Sequence, residues 1–124
     1  MGRVVHFEFS SNNLEASKKF FETVMNWEIT SWEGPIQYLL VKTGEKDSLG
    51  IDGAIFPPPG DGIEGTINTI SVDNLDDSIA KVKANGGEIL RPKNEIPGVG
   101  WFVYARDPGG IVFGLLEPFP SMDM

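Results

Sequence analysis

The chain has 124 residues, of which 40% are hydrophobic and 23% are charged, with a net charge of −8 and no cysteine. That length and composition fit one globular domain with its own core. The missing cysteines exclude disulfides, thiolate nucleophiles and thiolate metal sites. The sequence has no Lys/Arg cluster of the kind that binds nucleic acid. It also has no apolar run that approaches the ~20 residues needed to span a bilayer. We therefore expect a cytoplasmic protein with neither a nucleic-acid nor a membrane partner.

The first half of the chain predicts a strand, a helix and three more strands. Residues 4–9 combine β-branched and aromatic side chains, as strands do. Apolar residues at helical spacing then predict a helix, with Asn12 as its N-cap and Asn26, which tolerates a positive φ, at its end. Three predicted strands follow, at 27–32, 37–42 and 50–56.

The second half of the chain predicts the same order of elements. It begins after a linker at 57–64 that is too rich in Pro and Gly for regular structure. A strand is predicted at 67–72, followed by a helix with Asp73 as its N-cap and Gly87 at its end. Three further strands are predicted at 88–91, 100–105 and 111–117.

The two halves also match in sequence when one is shifted by 61 residues. Asn13 then lies over Asn74, Gly53 over Gly114 and Pro57 over Pro118. Such a repeat indicates a duplicated folding unit. We predict an α+β fold of two βαβββ modules, at 3–56 and 65–118, that pair to form a cup-shaped mixed sheet with the helices outside. In this prediction residues 1–120 are a single domain, and 119–124 form a tail.

Several short segments are typical of one superfamily. They are VHFE at 5–8, FF at 20–21 followed by WE at 27–28, SVDN at 71–74, and DPGG at 107–110. With the paired βαβββ units, they resemble the vicinal oxygen chelate superfamily of glyoxalase I, bleomycin-resistance proteins and extradiol dioxygenases. The run IPGVGWF at 96–102 is similar to a glyoxalase-related subgroup. The resemblance implies a homodimer, but one such fold hosts many activities.

The resemblance also implies where metal ligands would stand, on the first and last strand of each module. Those positions fall on His6, Gly53, Ile67 and Gly114, where the superfamily usually has His, Gln or Glu. Only His6 has a donor atom, and a divalent ion needs three or more protein ligands. We therefore expect a degenerate site with no metal and no cofactor. Glu8, on the same strand face, and Asp52 or Glu117, in a register shifted by one, are the alternative ligands.

The predicted ligand-binding residues are those expected to face the cup. They are His6, Glu8, Gly53, Thr69, Trp101, Tyr104 and Gly114. His6 and Glu8 are also the best catalytic candidates, because a carboxylate two positions away on one strand face can hydrogen-bond an imidazole and raise its pKa. Trp101 and Tyr104 point to opposite faces of one strand, so either can supply an aromatic wall. The two glycines are expected to leave space for a ligand.

Two functions from different classes are consistent with these residues. The first is a metal-free protein that binds a small organic ligand in the cup, as bleomycin-resistance relatives do. The alternative is a glyoxalase-like lyase or isomerase, or another enzyme. It would work without metal through Glu8 and His6, or with metal ligands in another register.

Overall fold

A computed structural model of the protein describes residues 1–34, 36–58 and 60–120. These residues form nine strands and two helices, with both parallel and antiparallel strand pairs. The predicted α+β class with mixed strand directions is therefore confirmed. None of the described helices is long and apolar enough to cross a membrane. Pro59 of the predicted linker and residues 121–124 of the predicted tail lie outside the described residues.

The chain divides into two compact units. The N-terminal unit is Val5–Ile67, and the C-terminal unit is Met1–Val4 with Asn68–Met124. The division crosses the first strand of the chain, between Val4 and Val5, and the fifth, between Ile67 and Asn68. Most residues of the first strand belong to the N-terminal unit, and most of the fifth belong to the C-terminal unit.

The N-terminal unit has the predicted strand–helix–three-strand order. Its elements are β1 (Arg3–Ser10), α1 (Leu14–Met25), β2 (Glu28–Ser31), β3 (Leu39–Lys42) and β4 (Gly53–Phe56). The strand order is β2-β3-β4-β1. Strands β1 and β4 run parallel, and the two other pairs are antiparallel. The parallel pair requires a long crossover, which α1 and the two intervening strands provide.

The core of this unit lies on the helix-covered face of its sheet. The buried side chains of that core are Phe7, Ile29, Leu39, Val41 and Ile55, with Phe9, Leu14, Phe21 and Trp27 packed against them. The Phe21 and Trp27 rings stack with centroids 4.8 Å apart. Burying each large apolar side chain contributes roughly 1.5–3 kcal/mol. The core residues on β1, β3 and β4 all have odd numbers, and side chains alternate along a strand. Residues of odd number on these strands therefore face α1, and those of even number face the opposite side.

Both ends of α1 are fixed by asparagines. The N-cap is Asn13, whose side chain accepts a hydrogen bond from the Ala16 backbone N–H at 3.0 Å. The prediction of Asn12 was therefore wrong by one residue. The helix ends at Asn26, in the left-handed region with φ 58° and its N–H bonded to the Phe21 carbonyl, so the predicted end is confirmed.

The C-terminal unit has one strand more than predicted. Its elements are β5 (Thr66–Ser71), α2 (Leu75–Ala84), β6 (Glu88–Ile89), β7 (Asn94–Ile96), β8 (Gly100–Arg106) and β9 (Val112–Pro118). The strand order is β5-β9-β8-β6, and β7 also pairs with β8. The unpredicted β7 has three residues and pairs with the first half of β8. A strand this short carries too little alternation to be recognised from sequence.

The ends of α2 each differ from the prediction by one residue. Asn74, and not Asp73, is the N-cap, and its side chain accepts a hydrogen bond from the Asp77 N–H at 3.0 Å. After the helix the positive φ of 86° is at Gly86 and not at Gly87. Gly87 is needed for another reason, because a Cβ there would lie 2.9 Å from the Arg106 carbonyl oxygen.

The last strands of the two units do not keep the offset of 61. In the N-terminal unit Phe7 pairs with Gly53 and Glu8 with Ala54. In the C-terminal unit Thr69, which the repeat aligns with Glu8, pairs with Gly114. The structural counterpart of Gly114 is therefore Ala54, and the sequence match between the two glycines is misleading.

Candidate functional site

Two polar side chains of β1 share the face opposite α1. Phe7 and Phe9 point into the helix-covered core, so strand alternation places His6 and Glu8 on the other side. His6 is half-buried, and only 4% of the Glu8 surface is exposed. A carboxylate buried to this degree needs hydrogen-bond partners.

Tyr38 connects these two residues. It directly precedes β3 and belongs to the same even-numbered face. The Tyr38 hydroxyl donates to Glu8 Oε2 at 2.7 Å. The Tyr38 hydroxyl oxygen also lies 3.1 Å from His6 Nε2. The expected direct pairing of His6 with Glu8 is therefore replaced by a chain through a phenol. We call His6, Tyr38 and Glu8 the polar chain.

Aromatic rings flank the polar chain at Tyr38. The Trp32 and Phe56 rings both meet the Tyr38 ring edge to face, with centroids at 5.7 and 6.2 Å. The Trp32 backbone N–H donates to the Tyr38 carbonyl at 2.9 Å, which fixes the spacing of the two residues. Aromatic groups around a few convergent polar atoms are typical of small-molecule sites.

The electrostatic environment of His6 differs from the expectation. Burial lowers the pKa of His6 below its ordinary value of 6.5 and outweighs the carboxylates of Glu8 and Asp52, which act to raise it. Glu8 thus acts on the His6 pKa in the expected direction, and desolvation of the ring is the larger effect. The imidazole is neutral at pH 7.

The residues of this face do not fit a resident metal ion. The described residues contain no group of three His, Cys, Asp or Glu side chains placed to hold one. His6 Nε2 and Glu8 Oε2 both lie within hydrogen-bond distance of the Tyr38 hydroxyl. Asp52, one of the alternative ligands, uses Oδ1 to accept from the Thr43 N–H at 2.9 Å. The two metal-ligating side chains His6 and Glu8 are fewer than a stable site for a divalent ion requires.

Gly53 is not on the face of the polar chain. A Cβ at Gly53 would lie 2.5 Å from the Phe7 carbonyl oxygen and 2.6 Å from the Phe7 ring. It would therefore point toward the helix-covered core, and the expectation that Gly53 lines the ligand site was wrong. The sequence repeat pointed to Gly53, but the residue that faces the same side as the polar chain is its neighbour Ala54.

Thr69, Gly114 and Tyr104 share one face in the C-terminal unit. A Cβ at Gly114 would lie 3.2 Å from Thr69 Oγ1 and 2.6 Å from the Phe102 ring. The Phe102 and Tyr104 rings meet edge to face at 4.7 Å. The space beside Gly114 is therefore filled by Phe102, which corrects the expectation that this glycine leaves room for a ligand.

Trp101 lies on the other face of β8. It packs against the core cluster of Leu75, Val103 and Leu115. Lys93 Nζ lies 5.0 Å from the centroid of its ring, a cation–π contact. Strand alternation thus resolves the open choice, since Trp101 is part of the helix-side core and Tyr104 is not.

Sequence reasoning missed Tyr38. The residue lies within the predicted strand at 37–42, but nothing in that strand marks the tyrosine as a partner of a residue 30 positions away. The available signal was the even-number alternation that Tyr38 shares with His6 and Glu8 once β1 and β3 are assigned to one sheet.

A family model matches residues 3–115 of this chain. The chain belongs to the Glyoxalase/Bleomycin resistance protein/Dioxygenase superfamily. The predicted family resemblance is therefore confirmed. Curated relatives named "Putative glyoxylase CFP32", from Mycobacterium bovis and Mycobacterium tuberculosis, are each 28% identical over 123 residues. The match covers 97% of this chain and 46% of theirs, so the chain spans about half the length of these relatives.

Solved structures of similar fold include several epimerases. Methylmalonyl-CoA epimerase from Mycobacterium tuberculosis has a TM-score of 0.70 at 13% identity, covering 94% of this chain and 88% of that one. Hypothetical protein BH1468 from Bacillus halodurans has a TM-score of 0.73 at 11% identity, with 99% of both chains covered. A Streptomyces coelicolor methylmalonyl-CoA epimerase in complex with 2-nitronate-propionyl-CoA has a TM-score of 0.70 at 14% identity, covering 95% and 98%. At these identities the likeness shows the fold alone.

Proposed function

We propose that the N-terminal unit binds a small organic molecule at the polar chain without a resident metal ion. The observation that carries the proposal is the position of Tyr38, whose hydroxyl lies within hydrogen-bond distance of both His6 and Glu8 and whose ring contacts two aromatic rings. Such a group offers directional polar contacts beside apolar surface, which is the usual composition of a ligand site.

The donor set favours binding without metal over metal-assisted chemistry. His6 is the one candidate ligand position of the superfamily that has a donor atom in this sequence. Structures of similar fold hold acyl-CoA ligands, as in the epimerase complex with 2-nitronate-propionyl-CoA. That precedent supports an organic ligand here and leaves its identity to experiment.

The test is a fragment screen by ligand-observed NMR on the tag-free chain, with EDTA present throughout. Hits are then measured against wild type, Tyr38→Phe and Tyr104→Phe. The two tyrosines are the only ones in the chain, so Tyr104→Phe tests separately whether the second phenol, a predicted ligand-binding residue on another strand, contributes to binding. We expect Tyr38→Phe to weaken binding about tenfold, since a hydrogen bond in a partly buried site is worth about 1 kcal/mol or more.

Tryptophan fluorescence provides a second readout. Trp32 contacts Tyr38 directly, whereas Trp101 is in the core of the other unit. A ligand at the polar chain should change the emission of wild type and of Trp101→Phe, and the change should be lost in Trp32→Phe. A parallel screen replaces EDTA by zinc, nickel, manganese or iron, and hits that appear only in that screen would contradict the metal-free proposal. Turnover of a hit that is abolished by Glu8→Gln would instead favour the enzyme alternative.

A further inference from the structure

The hydrogen bonds of the polar chain run in one direction. The Tyr38 hydroxyl has one proton, and it donates that proton to Glu8 Oε2 at 2.7 Å. A carboxylate only accepts hydrogen bonds. The contact of 3.1 Å between the Tyr38 oxygen and His6 Nε2 must therefore be made with a proton from the histidine.

This direction fixes the tautomer of His6. A neutral imidazole has one N–H and one lone pair. Since Nε2 carries the proton that reaches Tyr38, Nδ1 carries the lone pair. In the polar chain, His6 Nε2–H donates to Tyr38 and the Tyr38 O–H donates to Glu8. The other ring nitrogen, His6 Nδ1, is therefore a hydrogen-bond acceptor.

The charges around His6 are all negative. Glu8 on β1 and Asp52, just before β4, are the two charged groups that act on the ring among the described residues. Tyr38, before β3, is the third titratable neighbour and is its hydrogen-bond partner. The net charge of the chain is −8. An anion would meet repulsion and a lone pair at this position, whereas a cation would meet attraction.

We infer that the ligand of this site is an organic N–H donor, in particular a protonated amine, which donates to His6 Nδ1 next to the polar chain, whose Tyr38 ring contacts Trp32 and Phe56. The inference rests on the proposed function and adds the chemical class of the ligand. A cationic head with an apolar body suits this combination of lone pair, carboxylates and aromatic rings.

The first experiment reads the tautomer directly. His6 is the only histidine in the chain, so selective ¹⁵N labelling gives one pair of ring signals. At pH 7.5 we expect a protonated Nε2 and an unprotonated Nδ1 in wild type. Tyr38→Phe should shift the population toward the Nδ1–H form. An Nδ1–H tautomer in wild type would overturn the inference.

The second experiment uses probes of equal size and opposite charge. Benzylammonium and benzoate are titrated into the chain at pH 7.5 while the His6 ring signals are followed. We expect benzylammonium to bind at least about tenfold more tightly than benzoate, and to lose its advantage when His6 becomes protonated. Equal binding, or tighter binding of benzoate, would overturn the inference.

The variants separate this inference from the proposed function. If benzoate binds better and Tyr38→Phe weakens it, the site binds ligands at the polar chain but the ligand class is wrong. If Tyr38→Phe fails to fold, Glu8→Gln serves instead, because the carbonyl of the substituted amide still accepts from Tyr38 while the charge is gone. That variant should keep the Nε2–H tautomer and bind benzylammonium more weakly. Unchanged benzylammonium binding would contradict the role given to the Glu8 charge.

Discussion

Replacing Thr69 by valine should stabilise the protein. Thr69 on β5 is 2% exposed, and its Oγ1 has no hydrogen-bond partner among the described residues. Its neighbour on β9 is Gly114, where a Cβ would lie 3.2 Å from Thr69 Oγ1. Valine has the same shape as threonine without the hydroxyl, so Thr69→Val removes the unpaired group and leaves the packing unchanged.

The size of the effect follows from the cost of a buried, unpaired hydroxyl. Leaving such a group without a partner costs about 1–3 kcal/mol, so Thr69→Val should raise the free energy of unfolding by about that amount. For a chain of this length, each kcal/mol corresponds to roughly 4 °C in Tm.

Urea unfolding followed by circular dichroism measures this change. Thr66→Val is the matched control, since Thr66 lies on the same strand and is exposed. It should change the free energy of unfolding by less than about 0.5 kcal/mol. A loss of stability in Thr69→Val would refute the reasoning. It would show that the hydroxyl has a partner in solution, such as a bound water or a ligand.

Three further predictions concern His6, Glu8 and Gly53. Because burial lowers the pKa of His6 in the folded state, the unfolded chain binds more protons below pH 6.5. Stability should therefore be full above pH 6.5 and fall as the pH drops toward the folded pKa, and His6→Gln should remove this slope in urea titrations. Glu8→Gln should lower the pKa of His6 further, by NMR titration, since Glu8 is the larger of the two raising influences, and Asp52→Asn should lower it less. Gly53→Ala should lower the free energy of unfolding in urea by about 1–3 kcal/mol, because its Cβ would lie 2.5 Å from a backbone atom. Gly109→Ala, whose Cβ would have its nearest atom at 3.6 Å, should be tolerated. Equal stabilities of the two variants would contradict the crowding at Gly53.

Most of the secondary structure could be predicted because it depends on nearby residues. The apolar spacing of α1 and the left-handed Asn26 at its end are properties of a dozen consecutive positions. The N-caps were each predicted one residue early, because Asn12 and Asn13 are chemically equivalent candidates and only the backbone geometry chooses between them. The short β7 was missed because three residues carry no periodic signal.

The sequence by itself determined the order of elements apart from β7, the family, and the placement of His6 and Glu8 on one face of β1. Each of these follows from local periodicity or from motifs of a few adjacent residues. Only the tertiary structure decided that Tyr38 joins the two residues, that Gly53 faces the helix, and that Phe102 fills the space beside Gly114. These outcomes depend on the register between strands far apart in the chain, and a shift of one residue reverses the face on which a side chain lies.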